Sequence, residues 1–132
     1  KKTTSLMEIS GILEEHSSKL FRGTIDFLRG CSGAKGDERE DILMLGDDLV
    51  NQTIPLILCQ EEDVEGNHGA SMGKLDDSVL YYLSSRGIPE KKAEQIMARA
   101  RIDAVCDRIP QAEVRKLVEE YLGTEEDTDE TV

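Results

Sequence analysis

His68 is the side chain of this sequence best placed to do chemistry. It lies in the stretch Asp63-Val64-Glu65-Gly66-Asn67-His68-Gly69-Ala70-Ser71-Met72-Gly73-Lys74-Leu75-Asp76-Asp77, where three glycines fall within eight residues. A neutral imidazole is a good ligand for iron and other transition metals through either ring nitrogen. Glycine frees the backbone for tight or left-handed turns and leaves little bulk beside the ring, so the stretch reads as a loop that displays its histidine. The bland alternative is a histidine that only hydrogen-bonds across a turn.

The other candidate groups are weaker. Cys31, Cys59 and Cys106 are three in number, widely spaced and without a CxxC pair. That argues against a disulfide framework and against a self-contained zinc or iron–sulfur site, and leaves reduced, mostly buried thiols. His16 follows two glutamates in Glu14-Glu15-His16-Ser17-Ser18 and reads as a solvated residue of a polar connection. No Gly-Lys-Ser/Thr loop is present, so the chain is not expected to hydrolyse ATP itself.

The elements that must position His68 change character across its stretch, from strands before it to helices after it. Ser5 to Leu13 reads as a strand and turn interrupted by Gly11, and Lys19 to Gly30 as a partly alternating strand broken by Gly23. Cys31 to Asp41 is glycine-rich and charged and reads as an exposed loop. Ile42-Leu43-Met44-Leu45 and Ile54-Pro55-Leu56-Ile57-Leu58-Cys59 are apolar runs too short for ordinary helices. Successive short strands without two-residue hairpin signals fit coils of a parallel β-helix better than a meander. After the glycine stretch, Asp76 or Asp77 caps a short helix and Gly87 ends it. Pro89 suits the first position of a second helix with Ala93, Ile96, Met97, Ala100, Ala104 and Val105 on one face. A third helix is expected from Pro110 to Leu122, with Val114, Leu117, Val118, Tyr121 and Leu122 inward and Gly123 as its stop. Residues 124–132 have nearly nothing apolar to bury and read as a disordered acidic tail. The expected divisions are therefore 1–75, 76–123 and 124–132.

The chain has 132 residues, the size of one domain, and begins Lys1-Lys2-Thr3-Thr4 without an initiator Met, as a processed or excised piece would. Twenty-eight acidic residues against sixteen basic ones give a formal charge of −12. Such a field disfavours nucleic acid and anionic membrane surfaces as partners. No apolar run reaches the roughly 18 residues of a membrane span, so a soluble, cytoplasmic protein is expected.

His68-Gly69-Ala70-Ser71, Gly73-Lys74-Leu75-Asp76, Leu80-Tyr81-Tyr82-Leu83 and Ser85-Arg86-Gly87-Ile88 together resemble the C-terminal signature of the SufB/SufD family, the scaffold subunits of the SUF iron–sulfur cluster assembly system. The likeness extends upstream through Phe21-Arg22-Gly23, Leu43-Met44-Leu45 and Ile54-Pro55-Leu56, and covers about residues 12 to 122. Gly69 matches the His-Gly-Ala of SufD-type chains rather than the His-Glu-Ala of SufB-type ones. Asp37-Glu38-Arg39-Glu40 stands where the SufB type carries Gln-Cys-Asp, so the SufB thiolate is lacking.

The resemblance implies a mainly β protein with α elements: the last coils of a right-handed parallel β-helix, then a small C-terminal helical subdomain. It implies a scaffold subunit, not an enzyme, that pairs with a SufB-type subunit or a second copy of itself and docks a SufC-type ABC ATPase. It further implies that His68 supplies one ligand to a transient iron–sulfur cluster shared with the partner, none being bound by this chain alone. ATPase docking falls to Tyr81, Tyr82, Arg86 and Gly87. Two other functions fit the residues: a small acyltransferase of the hexapeptide-repeat type and a non-catalytic homodimeric interaction module. A six-residue apolar repeat cannot be followed through residues 40 to 60, which disfavours the first.

Overall fold

Five strands alternate between two parallel sheets. A computed structural model describes the backbone of residues 1–129 and the side chains of residues 1–122. The strands are β1 (Thr4–Leu13), β2 (Ser18–Phe27), β3 (Ala34–Met44), β4 (Val50–Cys59) and β5 (Val64–Gly73), and the helices α1 (Asp77–Ser85), α2 (Glu90–Cys106) and α3 (Ala112–Asp129). One sheet has the order β1-β3-β5 and the other β2-β4. Every pairing is parallel: Thr4 lies beside Lys35, Ala34 beside Val64, and Ser18 beside Val50. The chain thus changes sheet at each connection and returns beside its own earlier strand.

The turns stack as the strands do. His16 N–H donates to Asp48 C=O (2.7 Å) and Gly33 N–H to Asp63 C=O (2.6 Å), so each turn is bonded to the next one along the stack. Gly30 (φ 88°) and Gly33 (φ 73°) supply the left-handed conformations that bring β2 round to β3. The chain divides into two compact units, Lys1–Tyr82 and the residues from Leu83 onward.

The inward faces of the two sheets meet in a small apolar core of Ile25, Phe27 and Ala34, with Cys31 and Val64 packed against it. Glycines admit the larger neighbours. A Cβ at Gly36 would lie 2.7 Å from Ile25 Cγ2 and 3.2 Å from the Phe27 ring, and one at Gly11 would lie 3.0 Å from Ile42 Cδ1. These are packing glycines inside strands, and neither Gly11 nor Gly23 breaks its strand as the sequence reading expects.

The largest correction concerns residues 31–41. The expected exposed loop is mostly β3, the central strand, with Glu38 and Glu40 only 2% and 3% exposed. Charged residues usually mark solvent, but here two glutamates turn inward, and Glu40 meets Lys19 there. The glycine stretch around His68 is likewise no loop: Gly66, Gly69 and Gly73 belong to β5, and none of them takes positive φ. Cys106 is buried, whereas Cys59, expected to be mostly buried, is exposed on the outermost strand of its sheet.

The helix starts follow the sequence closely. Asp76 caps α1 by accepting from Ser78 N–H (2.7 Å), and Gly87 ends it with φ 80° while Ile88 N–H reaches back to Leu83 C=O (3.1 Å). Pro89 is the residue just before α2, with extended ψ, one place earlier than expected. The buried positions of α2 are Ala93, Ala98 and Cys106, while Ile96 and Val105 are 41% and 42% exposed. On α3, Val114, Leu117 and Tyr121 are exposed rather than inward. Gly123 does not stop α3, which continues to Asp129; one glycine costs a helix only about 1 kcal/mol against Ala. The tail expected at 124–132 lies outside the residues whose side chains are described. No described helix is long and apolar enough to cross a membrane.

Gly36→Ala should lower the stability of the strand unit by about 1–3 kcal/mol, because the methyl has no free volume beside Ile25 and Phe27. Gly69→Ala, with no atom within 4 Å of the added carbon, should change it by less than about 0.5 kcal/mol. Urea unfolding of the two variants side by side measures the contrast.

Candidate functional site

Alternation along β3 turns Ala34, Gly36, Glu38, Glu40 and Ile42 to the interior, and the in-register pairing stacks each on the strands to either side. Met7, Glu38 and His68 therefore form one column across β1, β3 and β5, and Ile9, Glu40 and Ala70 the next. His68 is on the end strand of its sheet, so its column is open on one side. The sequence reads the stretch as a loop that displays His68; the structure holds it on a strand by backbone pairing.

Glu38 is the group His68 faces. Its side chain is 1% exposed, and Oε1 lies 3.9 Å from His68 Nε2, on a ring that is 29% exposed. That distance is too long for a hydrogen bond, and Oε1 has no hydrogen-bond partner. Gly23 on β2 makes the space, since a Cβ there would collide with the Glu38 carboxylate.

Glu40, two residues on, is buried with its charge answered. Its Oε1 pairs with Lys19 Nζ and accepts from the Thr53 hydroxyl (3.0 Å), which itself accepts from Lys19 (3.3 Å). The Glu40 side chain is fully buried and that of Lys19 19% exposed. Glu40 Oε2 and both amide atoms of Asn51 are buried without partners, so the inner surface between the sheets is polar well beyond what one ion pair satisfies.

The outer face of the same strands fixes the register. Lys35 Nζ reaches Glu65 at 2.5 Å, and Asn67 donates to Asp37 (3.2 Å) beside the histidine. The hydrogen bond and charge of Lys35 lower the Glu65 pKa, and Glu65 raises that of Lys35 by the same two effects. Lys74, just after β5, pairs with Asp47 in the turn before β4. His16 is 79% exposed, takes φ 64° and contacts Asp48 through Nδ1 (2.8 Å), so it is a turn residue with a partner.

Tyr81 and Tyr82 lie on α1, 77% and 54% exposed, and Arg86 and Gly87 follow its end. They share one short segment. Among the described residues no three His, Cys, Asp or Glu side chains assemble into a group that could hold a metal, so a metal at His68 needs further donors from elsewhere. A cavity of about 340 Å³ lined by Met7, Ile25, Phe27 and Cys31 opens at the β1 side, away from His68.

Sequence reasoning misses Glu38 and Glu40. The signal is present: both sit at even spacing from Ile42, and Glu38 and His68 are one strand-to-strand repeat apart. A reading by local polarity does not see it.

Parallel strands that each return beside an earlier strand, with a histidine on the inward face of the last one, define a stacked-strand architecture. Residues 1–101 match the family model described as SUF system FeS cluster assembly, SufBD core domain. The chain is 33% identical over 106 residues to the iron–sulfur cluster assembly protein SufD of Bacillus subtilis, covering 80% of this chain and 24% of that one. It is 29% identical over 111 residues to a SufBD family protein of Pyrococcus horikoshii, covering 82% and 24%. It is also 29% identical over 121 residues to a chloroplastic SufBD family protein of Arabidopsis thaliana, covering 89% and 22%. The chain belongs to the SufB/SufD family and is SufD-like. It spans about a quarter of the length of these relatives.

Lys19→Met should destabilise the strand unit by about 3–5 kcal/mol, because it strands the fully buried Glu40 carboxylate. Adding Glu40→Leu to that variant should restore most of the loss. Chemical denaturation of the two single variants and the double variant measures the coupling.

Proposed function

We propose that this chain is part of a scaffold subunit of the SUF iron–sulfur cluster assembly system, and that His68 contributes one ligand to a cluster assembled at a subunit interface. One observation carries the reading: His68 stands on an interior column at the end strand, ring partly exposed, where a partner can reach it. The strands are the last coils of a right-handed parallel β-helix, a reading supported by the strict return of each strand beside its predecessor and by the preferred hand of parallel crossovers. The partner is a SufB-type subunit or a second copy, meeting the unpaired edges of β4 and β5. Exposed Ile54, Ile57 and Met72 on these strands offer apolar surface for it.

The subunit is a scaffold without catalysis of its own and works in the cytoplasm. The cluster is cargo, formed with donors from both chains. A SufC-type ABC ATPase docks at the end of α1 through Tyr81, Tyr82, Arg86 and the Gly87 turn. Exposed tyrosine rings are the kind of anchor that dominates interfaces. Family membership leaves the acyltransferase alternative without support.

His68→Ala in the assembled complex should abolish most cluster formation while leaving the subunits associated. Iron and sulfide content after anaerobic reconstitution reads this; unchanged content in an intact complex would overturn the role. Tyr81→Ala and Arg86→Glu should each weaken ATPase binding about tenfold or more with an unchanged circular dichroism spectrum. Binding that survives both changes would place the contact elsewhere.

A further inference from the structure

The function proposed above uses His68 alone and leaves Glu38 unexplained. Its carboxylate is buried to 1% exposure, yet Oε1 has no hydrogen-bond partner and points along the column toward His68 Nε2. The neighbouring buried carboxylate shows how this interior satisfies a charge: Glu40 has Lys19 and the Thr53 hydroxyl. Lys19 is held there, and no Lys or Arg answers Glu38 among the described residues. A buried carboxylate oxygen without a partner calls for an explanation, and a bound ion is one that would complete it.

We infer that Glu38 is the second ligand of the His68 site, and that the pair forms an oxygen–nitrogen half-site that takes a single divalent iron ion. This rests on the reading of His68 as a ligand and adds to it the residue, the ion and the order of events. The 3.9 Å between Oε1 and Nε2 is longer than a hydrogen bond but shorter than two metal–ligand bonds of about 2.1 Å end to end, so one ion can bridge both atoms. The donors choose the ion. Carboxylate with imidazole suits Fe(II) and similar divalent ions, whereas preformed clusters and Cu(I) favour thiolate. The column contains no thiol: Met7, on the far side of Glu38, carries a thioether. Backbone pairing sets the spacing of the two ligands before any ion arrives. Iron therefore enters first as a mononuclear ion, and sulfide joins at the shared interface. No covalent or redox step on this chain is involved.

Anaerobic Co(II) titration tests this on the complete protein that carries the chain, in its assembled complex, with visible absorption as the readout and Fe(II) as competitor. Wild type should give one site whose ligand-field band Fe(II) displaces. Glu38→Gln keeps the shape and removes the charge, and should weaken Co(II) binding about tenfold or more, as should His68→Ala. No Co(II) band in wild type, or equal affinity in Glu38→Gln, overturns the inference. X-ray absorption of Fe(II)-loaded wild type gives a check independent of any variant's folding: an oxygen–nitrogen first shell is expected, and a sulfur shell without oxygen donors would refute it. The two ideas separate cleanly. Lost cluster assembly in His68→Ala with normal metal binding in Glu38→Gln defeats only the role of Glu38. Normal assembly in His68→Ala with a Glu38-dependent Co(II) site defeats only the cluster role.

Discussion

Parallel pairing in register is the constraint from which the rest of the strand unit follows. Adjacent strands lie about 4.8 Å apart, so an inward side chain on β3 touches residues at the same height on both neighbours. Apolar residues satisfy this easily, as Ile25, Phe27 and Ala34 do at one end. Polar ones must find a complement across the gap or along the stack. Glu40 finds it across, in Lys19 and Thr53. Glu38 finds room across, at Gly23, and faces an imidazole along the stack. Two glutamates two residues apart thus end in different electrostatic situations because different residues of β2 stand opposite them.

Much of the architecture can be read from the residues because local chemistry fixes it. The Asp76 cap, the Gly87 stop and the start of α2 after Pro89 depend on nearby backbone groups, and all appear within a residue of expectation. The apolar parts of β3 and β4 are legible for the same reason. What escapes depends on distant partners. Residues 34–41 look like loop because glutamate and glycine are poor strand formers in water, and only the interior offered by β2 makes them a strand. Spacing also shows which helical residues share a face without showing what covers it, which is why Ile96, Val105 and Leu117 are exposed where burial is expected.

The site divides along the same line. His68 stands out by residue type and by its glycine-rich surroundings, and the family likeness rests on the string that contains it. The reason given by local sequence is nevertheless wrong: its glycines are extended residues of β5. Gly66 is needed because Phe27 and Ile57 approach its α-carbon, with an added Cβ 2.9 Å from the Phe27 ring. Glu38 is invisible without the pairing, because its relation to His68 exists only once β3 and β5 lie side by side.

Gly69 differs from Gly66 on the same strand, for an added side chain there would meet no atom within 4 Å. Alternation turns it away from the column that holds His68. It is also the position at which this chain follows the SufD-type pattern and SufB-type chains carry glutamate. A side chain at position 69 would therefore change the outer surface of β5 and leave the interior column beside it intact.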